Sequence, residues 1–434
     1  MSTLERCRFF QSPHRLNLRL LCTPLTALTP AKHTLDIWPP FPLVVHCAGE
    51  FIDDEPSGVD NVIAALEHND RVCQIDLGGL TSSQMGYLTD SAAMQKPFPE
   101  LTDLRLAPDM FMSDELGPIL PDSFLGGLGT APRLRSLDLF NVPYPRSQKL
   151  PTHLVKLELD NIPRSGYIPP EVMAIGLSAL TNLELLCLRF RYPPPRPVSA
   201  SRRPPPPPLT RSILSSLTTI LFKGASEYLE EILARIDAPR LDELHITFFN
   251  QIIFDTPQLF QFISRTPTLR ALEKGYIAFN SKATIEFRSQ TSDHDVLSMQ
   301  IPCATSEWQL SSLEQVCTSS LPLLSTLEDL YIHNLLSWSL GWQDDVENTL
   351  WLDLLRSFVA VKNLYLSKDF VPRIAPALQE LAGGRTTGVL STLENIFLEE
   401  FQPSEPLHKG IEMFIAARQL TSHPVAVSRW DGDL

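Results

Sequence analysis

Apolar residues along this chain fall into a recurring phrase: an apolar residue, two spacers, an apolar residue, one spacer, an apolar residue. It occurs at Leu101, Leu104 and Leu106, at Leu134, Leu137 and Leu139, and at Leu154, Leu157 and Leu159. It recurs at Leu183, Leu186 and Leu188, at Leu241, Leu244 and Ile246, and at Leu327, Leu330 and Ile332. Val361, Leu364 and Leu366, then Leu393, Ile396 and Leu398, carry it toward the C-terminus, and Val72, Ile75 and Leu77 form an earlier copy. Alternation over the last three positions is the period of a strand with one buried face. Leu217, Ile220 and Phe222 make a weaker copy.

The last apolar positions fall at 77, 106, 139, 159, 188, 222, 246, 332, 366 and 398, so most intervals run between 20 and 34 residues. That is the strand half of a leucine-rich repeat, with units somewhat longer and less regular than the usual ~20–29 residues. The connecting segments have room for helices, and apolar spacing predicts them at 227–236, 257–266, 345–359 and 375–381. A further helix is expected around 211–216. Prolines such as Pro132 and Pro239 stand just before strands, where they end a preceding helix.

Two stretches depart from the pattern. The 86-residue gap between positions 246 and 332 is too long for one unit. Leu269 and Leu272 start the phrase correctly there but leave Lys274 in its last apolar slot, while 284–287 and 297–301 read as strands. Two degenerate units, locally antiparallel, are expected within 270–320. The other departure is 192–208, where proline is too dense for sheet or helix, so an exposed polyproline-like loop is expected. Arg202 and Arg203 ahead of Pro204–Pro208 would suit a proline-recognising domain, but an inserted, solvated loop accounts for them as well.

The expected fold class is therefore α/β: an irregular leucine-rich-repeat solenoid (horseshoe) with one short parallel strand and one helix or loop per repeat. It spans 15–401, after an N-terminal extension at 1–14. A C-terminal helix at 410–419 and tail, within 402–434, would cap it.

Composition narrows the function. The net charge of −14 comes without a basic stripe, which argues against a nucleic-acid partner. Seven widely spaced cysteines with no Cys-x-x-Cys suit reduced, buried thiols in a cytoplasmic or nuclear protein. No run approaches ~20 apolar residues, so no membrane partner is expected. Arg6, Arg8 and Arg15 ahead of 16–28 superficially resemble a signal peptide. Arg19, Pro24 and the alternation of Leu16, Leu18 and Leu20 favour a first strand instead.

Catalytic patterns are not found. None of the ten histidines pairs with another in a His-Glu-x-x-His arrangement. Asp293, His294 and Asp295 read as a polar turn, and His46 and Cys47 should point to opposite faces of a strand. The glycines at 126, 127 and 129, and at 383 and 384, lack the Gly-Lys-Ser/Thr ending of a phosphate loop. Glu230-Glu231 and Glu399-Glu400 read as solvated pairs. No enzyme, cofactor or metal is expected.

Several strings carry a family resemblance: 228–242, 254–264, 308–312, 324–332, 416–420 and 428–431, with 70–77 and 121–126 extending it toward the N-terminus. The chain resembles the F-box-associated leucine-rich-repeat proteins expanded in mushroom-forming (basidiomycete) fungi. The resemblance implies the substrate-binding part of an F-box type ubiquitin-ligase adaptor. Its partners would be a Skp-type adaptor and a cullin if an F-box lies upstream, and the box itself is not visible in this chain. The alternative is a free-standing repeat scaffold with no ubiquitin-ligase link.

Either reading rests on protein-protein recognition, with a candidate concave face formed by the spacer residues of each phrase. Tyr331, Tyr365 and Phe397 occupy the same slot in three copies and should stack side by side, either exposed together as interface anchors are or covered by an extra helix or the tail. His245 and Asp329 complete the candidate set.

Overall fold

The computed structural model describes residues 10–12, 15–17, 20–22, 41–48, 57–109, 120–128, 131–145, 147–193, 211–249, 256–270, 272–280, 282–289, 296–303, 306–320, 322–334, 348–382, 389–402, 406–420 and 423–431. The dense prolines from 194 onward, and Asp293, His294 and Asp295, lie outside them. The chain forms two compact units, one essentially 1–217 without the 207–211 segment, the other that segment with 218–434.

In the N-terminal unit, each phrase becomes one parallel strand. β1 (Phe10–Ser12) and β2 (Arg15–Asn17) pair antiparallel. They precede the run β3 (Leu20–Cys22), β4 (Leu43–Ala48), β5 (Val72–Gly78), β6 (Asp103–Ala107), β7 (Ser136–Phe140), β8 (Lys156–Ile162) and β9 (Leu185–Phe190). Each strand from β3 to β9 pairs in parallel with the next. Helices α1 (Ser57–Leu66), α2 (Ser82–Asp90) and α3 (Pro170–Ser178) fill connections. A capping box closes the start of α2: Gln84 N–H donates to Thr81 Oγ1, and Thr81 N–H to Gln84 Oε1. The phrase leucines form the core, with Leu104, Leu106, Leu137, Leu139, Leu157 and Leu159 at 0–2% exposure. Each contributes roughly 2 kcal/mol by leaving water.

A turn launches many of the phrase strands. The N–H of the first phrase residue donates to the carbonyl three positions earlier, as in Leu134 to Ala131, Leu183 to Leu180 and Leu241 to Ala238. This turn corrects one expectation. The segment 211–216 is no helix; it holds a two-residue strand, β10 (Ser212–Ile213), and then a turn in which Leu217 N–H donates to Leu214. Leu214 and Leu217 are both buried at helical spacing, but the spacing belongs to the turn.

The C-terminal unit holds β11 (Thr219–Gly224), α4 (Ser226–Leu233), β12 (Ile236–Asp237), β13 (Glu243–Phe248), α5 (Pro257–Arg265), β14 (Lys274–Phe279), β15 (Lys282–Arg288), β16 (Leu297–Pro302), α6 (Ser306–Ser320), β17 (Asp329–Asn334), α7 (Asn348–Arg356), β18 (Asn363–Leu366), α8 (Val371–Ala382), β19 (Asn395–Glu399), α9 (Lys409–Leu420) and β20 (Ala426–Trp430). The helix expected at 227–236 stops at Leu233, and Ile236 joins β12 instead. Successive helices from α4 to α9 pack on one another. Glu230 of α4 is no solvated carboxylate: both its oxygens accept from the first turn of α5, at 2.7 Å from Gln258 N and 2.7 Å from Leu259 N. One repeat thereby caps the next.

The sheet order in this unit is β11, β13, β16, β15, β14, β17, β18, β19, β20. The chain skips two places after β13, turns back through the antiparallel strands β14, β15 and β16, then resumes beside β14 with parallel β17. The local antiparallel pairing expected of 270–320 is thus present, but the phrase sits three residues later than expected. Gly275 aligns with Leu330 and Ile277 with Ile332, so the copy reads Leu272, Gly275, Ile277. Glycine fits the middle slot because the buried Leu327 side chain fills it: a Cβ there would lie 2.8 Å from Leu327 Cδ2.

The fold class is α/β, with mostly parallel strands, one per repeat, backed by helices or loops, as a leucine-rich-repeat protein requires.

Candidate functional site

Because side chains alternate across a strand, the residue between the last two core positions of each phrase points away from the core. Register lines these residues up in rows, and the two units fill the row differently.

In the N-terminal unit the row is His46, Asp76, Arg105, Asp138, Glu158 and Cys187. His46 Nδ1 lies 3.0 Å from Asp76, and Arg105 bridges Asp76 and Asp138 at 3.3 Å each. Asp138 and Glu158 stand side by side in register, and Lys156 reaches Glu158 at 3.2 Å. Burial, with Glu158 as the next cause, pushes the Asp138 carboxyl up to about 6. Cys187 ends the row as a buried thiol pushed up to about 12 by burial. Cys47, Cys73, Cys187, Cys303 and Cys317 are all buried and form no disulfide among the described residues. His46 and Cys47 do face opposite ways, the first half-exposed and the second in the core.

In the C-terminal unit the row runs His245, Ser298, Glu286, Tyr276, Tyr331, Tyr365, Phe397 and Ser428. Four aromatic rings stack in sequence: Tyr276 on Tyr331 at 4.5 Å, Tyr331 on Tyr365 at 4.0 Å and Tyr365 on Phe397 at 4.5 Å, all within 11° of parallel. The Arg288 guanidinium lies over Tyr276, 4.2 Å from its centroid. Trp430 of β20 meets Tyr331 and Tyr365 edge-on, at 5.9 and 5.8 Å. Tyr276 is buried; Tyr331, Tyr365, Phe397 and Trp430 are half-buried. Burial above all, then Tyr365 and its hydrogen bond, holds the Tyr331 phenol well above its usual range; burial raises Tyr365 as well.

An amide ladder runs beside the rings. Asn395 donates to Asn363 at 2.8 Å and Asn363 donates to Asp329 at 2.6 Å, which fixes β17, β18 and β19 in register. The structure therefore brings Tyr331, Tyr365, Phe397 and Asp329 together. It leaves His245 apart, beyond Ser298 and Glu286, where it lies 3.8 Å from Glu243. Sequence reasoning missed Tyr276, because Gly275 stands where the phrase calls for leucine, and it missed Trp430 and Arg288.

Other chemistry is sparse. Among the described residues no three His, Cys, Asp or Glu side chains gather as a metal site, and no helix is long and apolar enough to cross a membrane. A polar depression of about 560 Å³ lies in the N-terminal unit along the turns before β7, β8 and β9, touching Arg135, His153 and Glu184. A more apolar one of about 670 Å³ lies between α8 and α9, beside Met413 and Leu420.

No protein-family model and no curated protein matches the sequence. Among solved structures, the leucine-rich repeat-containing protein LegL7 from Legionella pneumophila is similar over 94% of this chain and 99% of its own, at 13% identity and a TM-score of 0.28.

Proposed function

We propose that this chain is a non-catalytic protein-recognition module that holds a partner on the exposed strand face of its C-terminal unit. The observation that carries this reading is the aromatic row Tyr276, Tyr331, Tyr365 and Phe397. Half-exposed rings already fixed by stacking lose little freedom on binding and expel water over a large apolar area. Such anchors supply most of the energy of a typical interface.

The finer reading is that recognition serves a ubiquitin ligase of the cytoplasm or nucleus. The chain would be the substrate-binding part of an F-box type adaptor, partnered by a Skp-type adaptor and a cullin. Its support is the resemblance carried by 228–242, 254–264 and 428–431. The second reading, a free-standing scaffold, shares the recognition face and lacks the ligase.

Purification of the full chain from its native cells, alongside Tyr365→Ala, tests both levels. The expected result is a partner recovered by the native chain and depleted by the variant, with Skp-type adaptor and cullin in both eluates. A partner retained equally by the variant would overturn the recognition face. Absence of adaptor and cullin, with the partner still dependent on Tyr365, would leave the free-standing scaffold.

A further inference from the structure

The aromatic row already has an occupant from within the chain. Among the described residues β20 is the last strand in the sheet order and pairs in parallel with β19, and it lays Trp430 edge-on against Tyr331 and Tyr365. A strand that served only to close the core would place apolar residues in the two core slots, as β19 does with Ile396 and Leu398. In β20 those slots hold Val427, half-buried, and Arg429, exposed and paired with Asp431 at 2.6 Å. Facing the row, Ala426 and Ser428 are small and exposed. Apart from Val425 at its start, the segment is held by its backbone ladder, with Ala426 N–H donating to Glu394 and Glu400 N–H to Trp430, and by one indole. Core closure at this end falls to α9, which buries Ile411 and Phe414.

We propose that the edge of β19 together with the aromatic row is a receptor for an extended segment carrying an aromatic side chain. β20 fills it in cis, and a partner segment of the same chemistry displaces it. This rests on the recognition reading above and adds the class of ligand and its competition with the tail. Parallel addition to β19 supplies backbone hydrogen bonds that any sequence can make, while the perpendicular ring against Tyr331 and Tyr365 supplies selectivity. The scarcity of buried side chains in β20 makes its release inexpensive relative to the rest of the sheet.

The test keeps the whole chain. A protease site placed between Leu420 and His423 allows the tail to be cut after folding. The probe is a fluorescein-labelled peptide of residues 423–431, followed by anisotropy. The expected result is saturable uptake of the peptide by the cut protein and negligible uptake by the uncut one. A Trp430→Ala peptide should bind roughly tenfold more weakly, the size expected when two edge-on ring contacts are lost. Tyr365→Ala protein should show a similar loss, with its near-ultraviolet circular dichroism and melting checked to confirm the fold. Equal binding of the Trp430→Ala peptide would overturn the proposal, as would failure of the probe to exchange into cut protein. Exchange of tails between uncut chains, seen as a dimer by light scattering, would make a second copy the occupant and overturn it too. A native partner that depends on Tyr365 yet is not competed by the peptide would sink this proposal alone and leave the recognition face standing.

Discussion

Tyr331 and Tyr365 stack with ring centroids 4.0 Å apart, closer than either outer pair of the row, and Trp430 bears edge-on on both. The contact follows from register, since β17 and β18 place the two residues directly opposite, with Asn363 and Asp329 holding the adjoining position. Tyr365→Ala should destabilise the C-terminal unit by about 1–3 kcal/mol, combining lost area with lost ring contacts. It should weaken partner binding roughly tenfold or more. Urea unfolding followed by tryptophan fluorescence, and titration of the recovered partner, check the two effects separately.

Asp138 and Glu158 predict a pH dependence. Burial first, and then Glu158, pushes the folded Asp138 carboxyl up to about 6 from its ordinary value of 3.8. The native state therefore binds the extra proton between those values, and stability falls as pH rises through that window. Asp138→Asn should remove this slope. Relative to the native residue it should be stabilising at pH 7, on the order of 1 kcal/mol after allowance for solvent screening, and neutral near pH 3.5. Paired melts across pH 3.5–7.5 check it, and an unchanged slope would count against the pair.

Glu230 caps α5 from the preceding repeat. Glu230→Ala should cost about 1–2 kcal/mol, concentrated at the start of α5 because two helix amides lose their acceptor. Hydrogen exchange should show faster exchange at Gln258 and Leu259, with α8 and α9 unaffected.

Gly275 makes a counterintuitive case. Replacing it with leucine restores the phrase yet should destabilise, by about 1–3 kcal/mol, because Leu327 already occupies the space at 2.8 Å. Gly275→Leu combined with Leu327→Ala should recover part of the loss, a coupling that a double-mutant cycle measures.

The core was legible in the sequence because period-two leucines reach a single solution: in β6, β7, β8, β17, β18 and β19 the slots named by the phrase are the buried ones. Helix faces were legible where apolar spacing was sustained, as in α5 and α7. Two physical causes hid the rest. Apolar spacing of three arises equally in a helix and in the turn that precedes many of the phrase strands, which misassigned 211–216. A glycine in a leucine slot breaks the phrase without breaking the strand, which shifted β14 and concealed Tyr276. Of the candidate site, same-slot aromatics were visible as a pattern. Trp430 was not, since its strand buries too little to repeat the phrase.

The most direct measurement is site-specific photo-crosslinking in native cells, with benzoylphenylalanine in place of Phe397 in one version of the full chain and in place of exposed Phe260 on helix α5 in another. One partner should crosslink from position 397, and none of it from position 260. The same partner captured from 260 and absent from 397 would put recognition on the helix side and contradict the claim that the aromatic row is the binding surface.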